Sequence, residues 1–199
     1  MVPSEAPVPA HTTGPGDTVV LYGEPGHRHT LTVHLDLRCP FCKRMENGLG
    51  TVMTDAADQG RLTLHYRFAT IIDEGVGGSG SLTALSALGA AADAGQQRFA
   101  QYLHVLYAEQ PSEEVDAFAD TGTLLTLAGE VDGLRGEEFD REVREGTYLP
   151  WAREVSAAFA ASGVQGTPTV LLDGTPLPVI NPMGYAVSPE AFLAELPRV

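Results

Sequence analysis

The sequence predicts an α/β protein in which a strand–helix–strand unit is followed by a block of helices and then by a strand–strand–helix unit. Three observations carry this. Two runs of alternating apolar and polar residues, 30–37 and 61–69, flank a segment with helical spacing. From about residue 81 to 162 the apolar residues recur at three- and four-residue intervals, without strand-like alternation. From Thr169 the strand pattern returns.

The elements follow in order. Residues 1–17 hold four prolines, two glycines and few large apolar side chains, the composition expected of a flexible leader. A short apolar run, 18–22, ends at Gly23 and Pro25. Residues 30–37 place Leu31, Val33, Leu35 and Leu37 on one face and Thr32, His34 and Asp36 on the other. Pro40 opens a helix whose apolar face is Cys42, Met45, Leu49, Val52, Met53 and Ala56; Gly48 and Gly50 weaken it, and Gly60 closes it. Leu62, Leu64, Tyr66 and Phe68 then alternate, so strand, helix and strand form the crossover unit that makes two strands parallel.

The glycine-rich stretch 75–80 marks a break. Helical faces follow through Leu82, Leu85 and Leu88; through Phe99, Tyr102, Leu103 and Leu106; through Leu124, Leu127, Ala128 and Val131; through Phe139 and Val143; and from Trp151 to Phe159, before Gly163. A strand at 169–172, a turn at Asp173-Gly174 and a short run around Val179 and Ile180 come next. Ser188 and Pro189 are an N-cap and first helical residue for a last helix. A mixed sheet of four or five strands is expected.

Composition narrows function. With 199 residues and 43% hydrophobic content the chain can bury a core without staples, and a net charge of −14 argues against nucleic acid or anionic lipid as partner. No apolar run is long enough for a membrane span. No basic residue precedes Arg28, so a secretory signal is not evident and a cytoplasmic location is expected; a trimmed N-terminus would make it extracytoplasmic.

The two cysteines are Cys39 and Cys42, in Cys39-Pro40-Phe41-Cys42, where a strand gives way to a helix. Pro40 suits the first helical position, which makes Cys39 the N-cap. Its sulfur then lies by free backbone N–H groups and the positive end of the helix dipole, so its pKa falls below the free value of about 8.5. Arg38, Lys43 and Arg44 add positive charge, although they also read as ordinary solvated residues of a first turn. Cys42, one turn in, is the more buried sulfur. Cys39 is thus the attacking thiol and Cys42 the resolving one. Half a zinc site completed by His34 or His65, a structural disulfide and two incidental thiols compete with redox chemistry, and redox chemistry is favoured: a ring this small stabilises weakly, and the strand-to-helix position is no accident of packing. His34 and His65 otherwise read as sheet residues, and Trp151, Phe99 and Tyr102 as packing residues of the helical block.

The strand–CPFC–helix start, the helical block and Gly166-Thr167-Pro168-Thr169-Val170 together resemble the DsbA-like thiol-disulfide oxidoreductases, most of all those of actinobacteria with LDLRCPFCKRME-like and GVxGTPTV-like segments. The resemblance implies a thioredoxin-like fold, from residues 18–80 and 147–199, with an inserted helical sub-domain at 81–146. It implies that Thr167-Pro168 is a cis bond opposite the cysteines, and that Pro40, Phe41, Thr167 and Pro168 meet the substrate. Protein or peptide thiols and disulfides, and a recycling partner, are the expected partners of a monomer without cofactor or metal. One departure stands out. Relatives in the wider superfamily often bury a carboxylate six residues before the first cysteine, and here that residue is Val33. Asp36 either replaces it or caps a local turn. The alternative from another class is a peptide-binding or chaperone-like module whose cysteines are not essential.

Overall fold

The computed structural model describes residues 6–198. Its strands and helices run β1 (Thr12–Thr13), β2 (Val19–Tyr22), β3 (Thr30–Asp36), α1 (Pro40–Met45), α2 (Thr51–Asp58), β4 (Thr63–Ala69), α3 (Ile71–Val76), α4 (Gly80–Ala94), α5 (Gln96–Ala108), α6 (Thr121–Ala128), α7 (Glu137–Glu145), α8 (Leu149–Ala161), β5 (Thr169–Leu172), β6 (Thr175–Leu177) and α9 (Pro189–Glu195). One sheet has the order β1-β2-β4-β3-β5-β6. The β3–β4 pair is parallel, as the strand–helix–strand reading requires, and the others are antiparallel. Mixed sheet and flanking helices form the thioredoxin-like architecture that was expected.

β3 is central, and the reason is its composition. Leu31, Val33 and Leu35 are wholly buried on one face, while His34 and Asp36 are buried on the other, so both faces are covered. A strand in that position needs neighbours on each side to satisfy its backbone. β4 pairs with it from Thr30↔Thr63 to Asp36↔Ala69, and β5 from Leu31↔Leu172 to His34↔Thr169. That register brings the end of β3, where the cysteines begin, beside the start of β5, where Thr167 and Pro168 lie. A single cluster of buried apolar side chains joins β2, β3 and β4 to helices α4 to α8, through Tyr66, Phe68, Phe99, Tyr102 and Trp151. The aromatic residues assigned to packing are placed there: Phe99 meets Tyr66 and Phe68 edge-on, and Tyr102 meets Phe139.

Four local features differ from expectation. Residues 1–5 of the expected leader lie outside the described residues; of the rest, Thr12 and Thr13 pair with β2, and the carbonyl of Asp17 accepts the Trp151 indole N–H at 2.9 Å. Prolines and glycines at 7–16 hide a strand only two residues long, and the sheet therefore has six strands. The last strand is 175–177 rather than around Val179 and Ile180. Asp173 and Gly174 both have positive φ (48° and 84°), the two-residue turn that folds the very next residues back onto β5. Helix α3 follows β4 directly, within a segment whose glycines had marked only a break.

The long helix is continuous across its glycines, but changes pitch. Between α1 and α2, residues Glu46–Gly50 form a single π turn. Within this turn the Glu46 carboxyl group lies against Gly50, where a Cβ would collide with it. Helix ends obey the capping rules. Asp120 caps α6 by accepting from Thr123 N at 2.8 Å, and Ser188 caps α9 from Ala191 N at 3.2 Å. Asp120→Ala is expected to lower the midpoint of urea unfolding without altering the slope of the transition.

Candidate active site

Cys39 occupies the N-cap of α1 with extended backbone (φ −73°, ψ 121°), and Pro40 is the first helical residue. The turn before it is tied three ways. Cys39 N–H donates to the Asp36 carbonyl (3.1 Å), Tyr107 O–H donates to the same carbonyl (2.9 Å), and the Gln110 side chain donates to the carbonyls of Leu37 (2.7 Å) and Cys39 (3.2 Å). Helix α5 and the loop after it thus hold the sulfur-bearing turn rigidly against the sheet.

The two sulfurs are unlinked, and their environments differ. Cys39 is 5% exposed and Cys42 is fully buried. Thr167-Pro168 is the cis peptide bond, and the Cys39 thiol donates to the Thr167 carbonyl across 3.4 Å. Residues 128 apart in sequence therefore meet because β5 lies next to β3. Phe41, 44% exposed, stands at the rim, stacked on the Arg44 guanidinium at 5.2 Å; Met183 and Tyr185, 79% and 60% exposed, lie on the loop that Arg44 also reaches.

Electrostatics divide the pair further. The Cys39 thiol is pulled down to about 7, first by its hydrogen bond with the Cys42 thiol, then by the backbone N–H groups of Cys42 and Phe41, against the opposing effect of burial. The Thr167 hydroxyl, buried and with no partner of its own, acts in the same direction. Cys42 is raised well above the ordinary thiol range, chiefly by burial and then by its neighbour Cys39. Thr167→Val is expected to raise the apparent pKa of Cys39 by a fraction of a unit, read from the pH dependence of its alkylation.

The basic residues act otherwise than the sequence suggested. The Arg38 guanidinium turns away from the sulfurs and is buried against Asp73 (2.8 Å), Asp116 (3.2 Å) and the carbonyls of Gly77 and Glu113. Lys43 donates to the Gln110 carbonyl and Arg44 to the Gly184 carbonyl. All three fasten loops around the site, and the acidity of Cys39 comes from hydrogen bonds at close range rather than from their charge. Asp36 is likewise spoken for. Its carboxylate accepts from Arg38 N, Ile72 N and the Ser81 hydroxyl, the arrangement of a turn cap.

His34 and His65, read as sheet residues, lie in β3 and β4. His29 and His34 have a spacing common in zinc sites, yet His29 precedes β3 while His34 is buried within it. His29 meets Asp173, and His34 meets the Thr169 carbonyl. Sequence reasoning missed Gln110, Tyr107 and Glu46. Nothing in the sequence marks the first two. Glu46 did carry a signal, since it lies one turn beyond Cys42 on the apolar face of the same helix.

The sequence matches the thioredoxin family over residues 16–186. This chain belongs to the thioredoxin family. Solved structures agree on the shape of this family member. It resembles oxidised DsbA from Mycobacterium tuberculosis with a TM-score of 0.72 at 24% identity, covering 89% of this chain and 90% of that one. It resembles the reduced disulfide bond oxidoreductase DsbG of the same organism with a TM-score of 0.73 at 26% identity, over 92% and 86% of the two chains. A third, the thiol-disulfide oxidoreductase MdbA from Actinomyces oris, gives a TM-score of 0.74 at 18% identity over 96% and 91%. A search of curated proteins gave no match. The fold is therefore the DsbA-like version of the thioredoxin family, and Cys39 and Cys42 have its CXXC spacing.

Proposed function

We propose that the protein is a thiol-disulfide oxidoreductase acting on protein or peptide substrates through Cys39-Pro40-Phe41-Cys42. The observation that carries this is the pairing of an acidic, slightly exposed sulfur with a buried, weakly acidic one, directly opposite the cis-proline segment. The similarity to DsbA, DsbG and MdbA supports it.

The chemistry follows from the asymmetry. The Cys39 thiolate attacks one sulfur of a substrate disulfide; that S–S bond breaks, and the departing sulfur takes up a proton. Cys42 then loses its proton and attacks the Cys39 sulfur, which releases the second substrate thiol and leaves a Cys39–Cys42 disulfide. The substrate has gained two electrons and the protein has lost two. The reverse sequence oxidises a dithiol, and the free energy of the Cys39 thiolate sets which direction prevails.

Thr167 and Pro168 support a substrate role because their backbone lies beside the attacking sulfur. Phe41 supports one as an exposed aromatic ring at the same rim. Residues 81–146 act in this reading as an insertion that buttresses the cysteine-bearing turn, through Tyr107, Gln110 and Ser81. The proposal places the protein outside the cytoplasm, in place of the cytoplasmic location expected from its sequence, because substrate disulfides persist in oxidising compartments; among the described residues no helix is long and apolar enough to cross a membrane.

Titration against glutathione, with mass-spectrometric counting of both thiols, tests the proposal. A two-electron transition in which Cys39 and Cys42 change together is expected. Independent oxidation of the two cysteines, or substrate turnover that persists in Cys39→Ser, contradicts it and favours a peptide-binding module.

A further inference from the structure

Residues of the π turn, α2, α5 and the segment after α6 line a cleft of about 490 Å³ whose wall is strongly one-signed. Asp55, Asp58, Glu130 and Asp132 line it with His104, and no lysine or arginine does. Glu46, only 2% exposed, also lines it, and its Oε2 has no hydrogen-bond partner. A buried carboxylate normally comes with a donor, because stripping it of water otherwise costs several kcal/mol. Here the fold has made room for the carboxylate rather than supplied a partner. The π turn and Gly50 accommodate it, and a side chain at Gly50 would collide with it.

We propose that this cleft binds a small organic cation, an ammonium or guanidinium group on an alkyl stem, whose charged end pairs with Glu46. Three features choose this class. The missing partner of Glu46 is a donor that bears positive charge. Apolar wall residues, Ala100, Val105 and Val131, suit a methylene stem. A compact metal ion is disfavoured because, among the described residues, no three His, Cys, Asp or Glu side chains stand close enough together to hold one. The rim acids are spread along the wall instead, which suits a second charge at the far end of the stem and concentrates cations at the mouth. The lining of the cleft includes neither Cys39 nor Thr167, so ligand binding can be read independently of thiol exchange.

Agmatine, with a guanidinium and an ammonium joined by a short alkyl chain, is the probe, titrated into the full chain by calorimetry at low salt. N-acetyl-lysine methylamide, which mimics a lysine side chain of a polypeptide, is titrated alongside. Saturable one-to-one binding of either supports the site, and the tighter of the two tells whether a free amine or a protein side chain is the natural source. Glu46→Gln should weaken binding by about tenfold or more, the loss of one buried charge pair. Glu130→Gln combined with Asp132→Asn changes two exposed side chains and does not threaten folding; it should weaken binding by a few fold and flatten the salt dependence. Absence of binding by both probes overturns the proposal. So does binding that both variants leave unchanged, or that a neutral diol of equal length reproduces.

Discussion

Cys42→Ser is expected to accumulate mixed disulfides between Cys39 and substrate, stable enough to isolate on non-reducing gels. In the native site Cys42 lies one helical turn from Cys39, close enough for their thiols to hydrogen-bond. Intramolecular attack in such geometry outruns an external thiol by orders of magnitude, so resolution should slow by about a thousandfold or more. Cys39→Ser should form no mixed disulfide at all. The asymmetry is the point: Cys42 is fully buried and its thiol is raised well above the ordinary range, so it cannot substitute as the attacking group. Mixed disulfides found on Cys42 in Cys39→Ser would reverse the two roles.

Glu46→Gln should make the protein more stable in mildly alkaline buffer, in spite of removing a charge from an acidic cleft. Burial lifts the Glu46 carboxyl to about 7, from an ordinary value near 4.5. A raised carboxyl means that the folded state holds the proton more tightly than the unfolded chain. Stability from this group is fully present below the unfolded value, falls as pH rises towards 7, and is lost above it. A rise from 4.5 to about 7 corresponds to about 3 kcal/mol. Urea unfolding of the wild type should therefore weaken between mildly acidic and mildly alkaline pH, and Glu46→Gln should remove most of that slope. Asp36 is also raised by burial, so comparison of the two proteins, rather than the wild type alone, isolates Glu46. A slope unchanged in the variant would show that the carboxylate finds a partner when it ionises.

Much of this molecule is legible in its sequence, for physical reasons that differ by element. β3 and β4 alternate cleanly because each buries one apolar face, and the parallel crossover follows from the helix between them. The cysteines were readable as a site because proline at the first helical turn fixes which sulfur sits at the helix end. The meeting of Cys39 with Thr167 was readable only through family resemblance, since no local pattern specifies a contact across 128 residues. What escaped was set by tertiary contact. A two-residue strand has no periodicity to read, and the partners of Arg38 come from α3 with its C-cap Gly77 and from residues 113–116, which only the folded chain brings together. Charge counting near the motif therefore misjudged why Cys39 is acidic: proximity in sequence placed Arg38 and Lys43 beside it, and their own hydrogen bonds took them elsewhere. Glu46 was overlooked because its burial depends on the π turn, which no local pattern marks.

The central claim is that one sulfur of the pair is acidic and reachable while the other is neither. The most direct measurement is the rate of iodoacetamide alkylation of the fully reduced protein as a function of pH, with the modified cysteine identified by mass spectrometry. Modification of Cys39 first, following a single titration with an apparent pKa of about 7, is the predicted result. Modification of Cys42 first, or a Cys39 that titrates no lower than a free thiol at about 8.5, would contradict it.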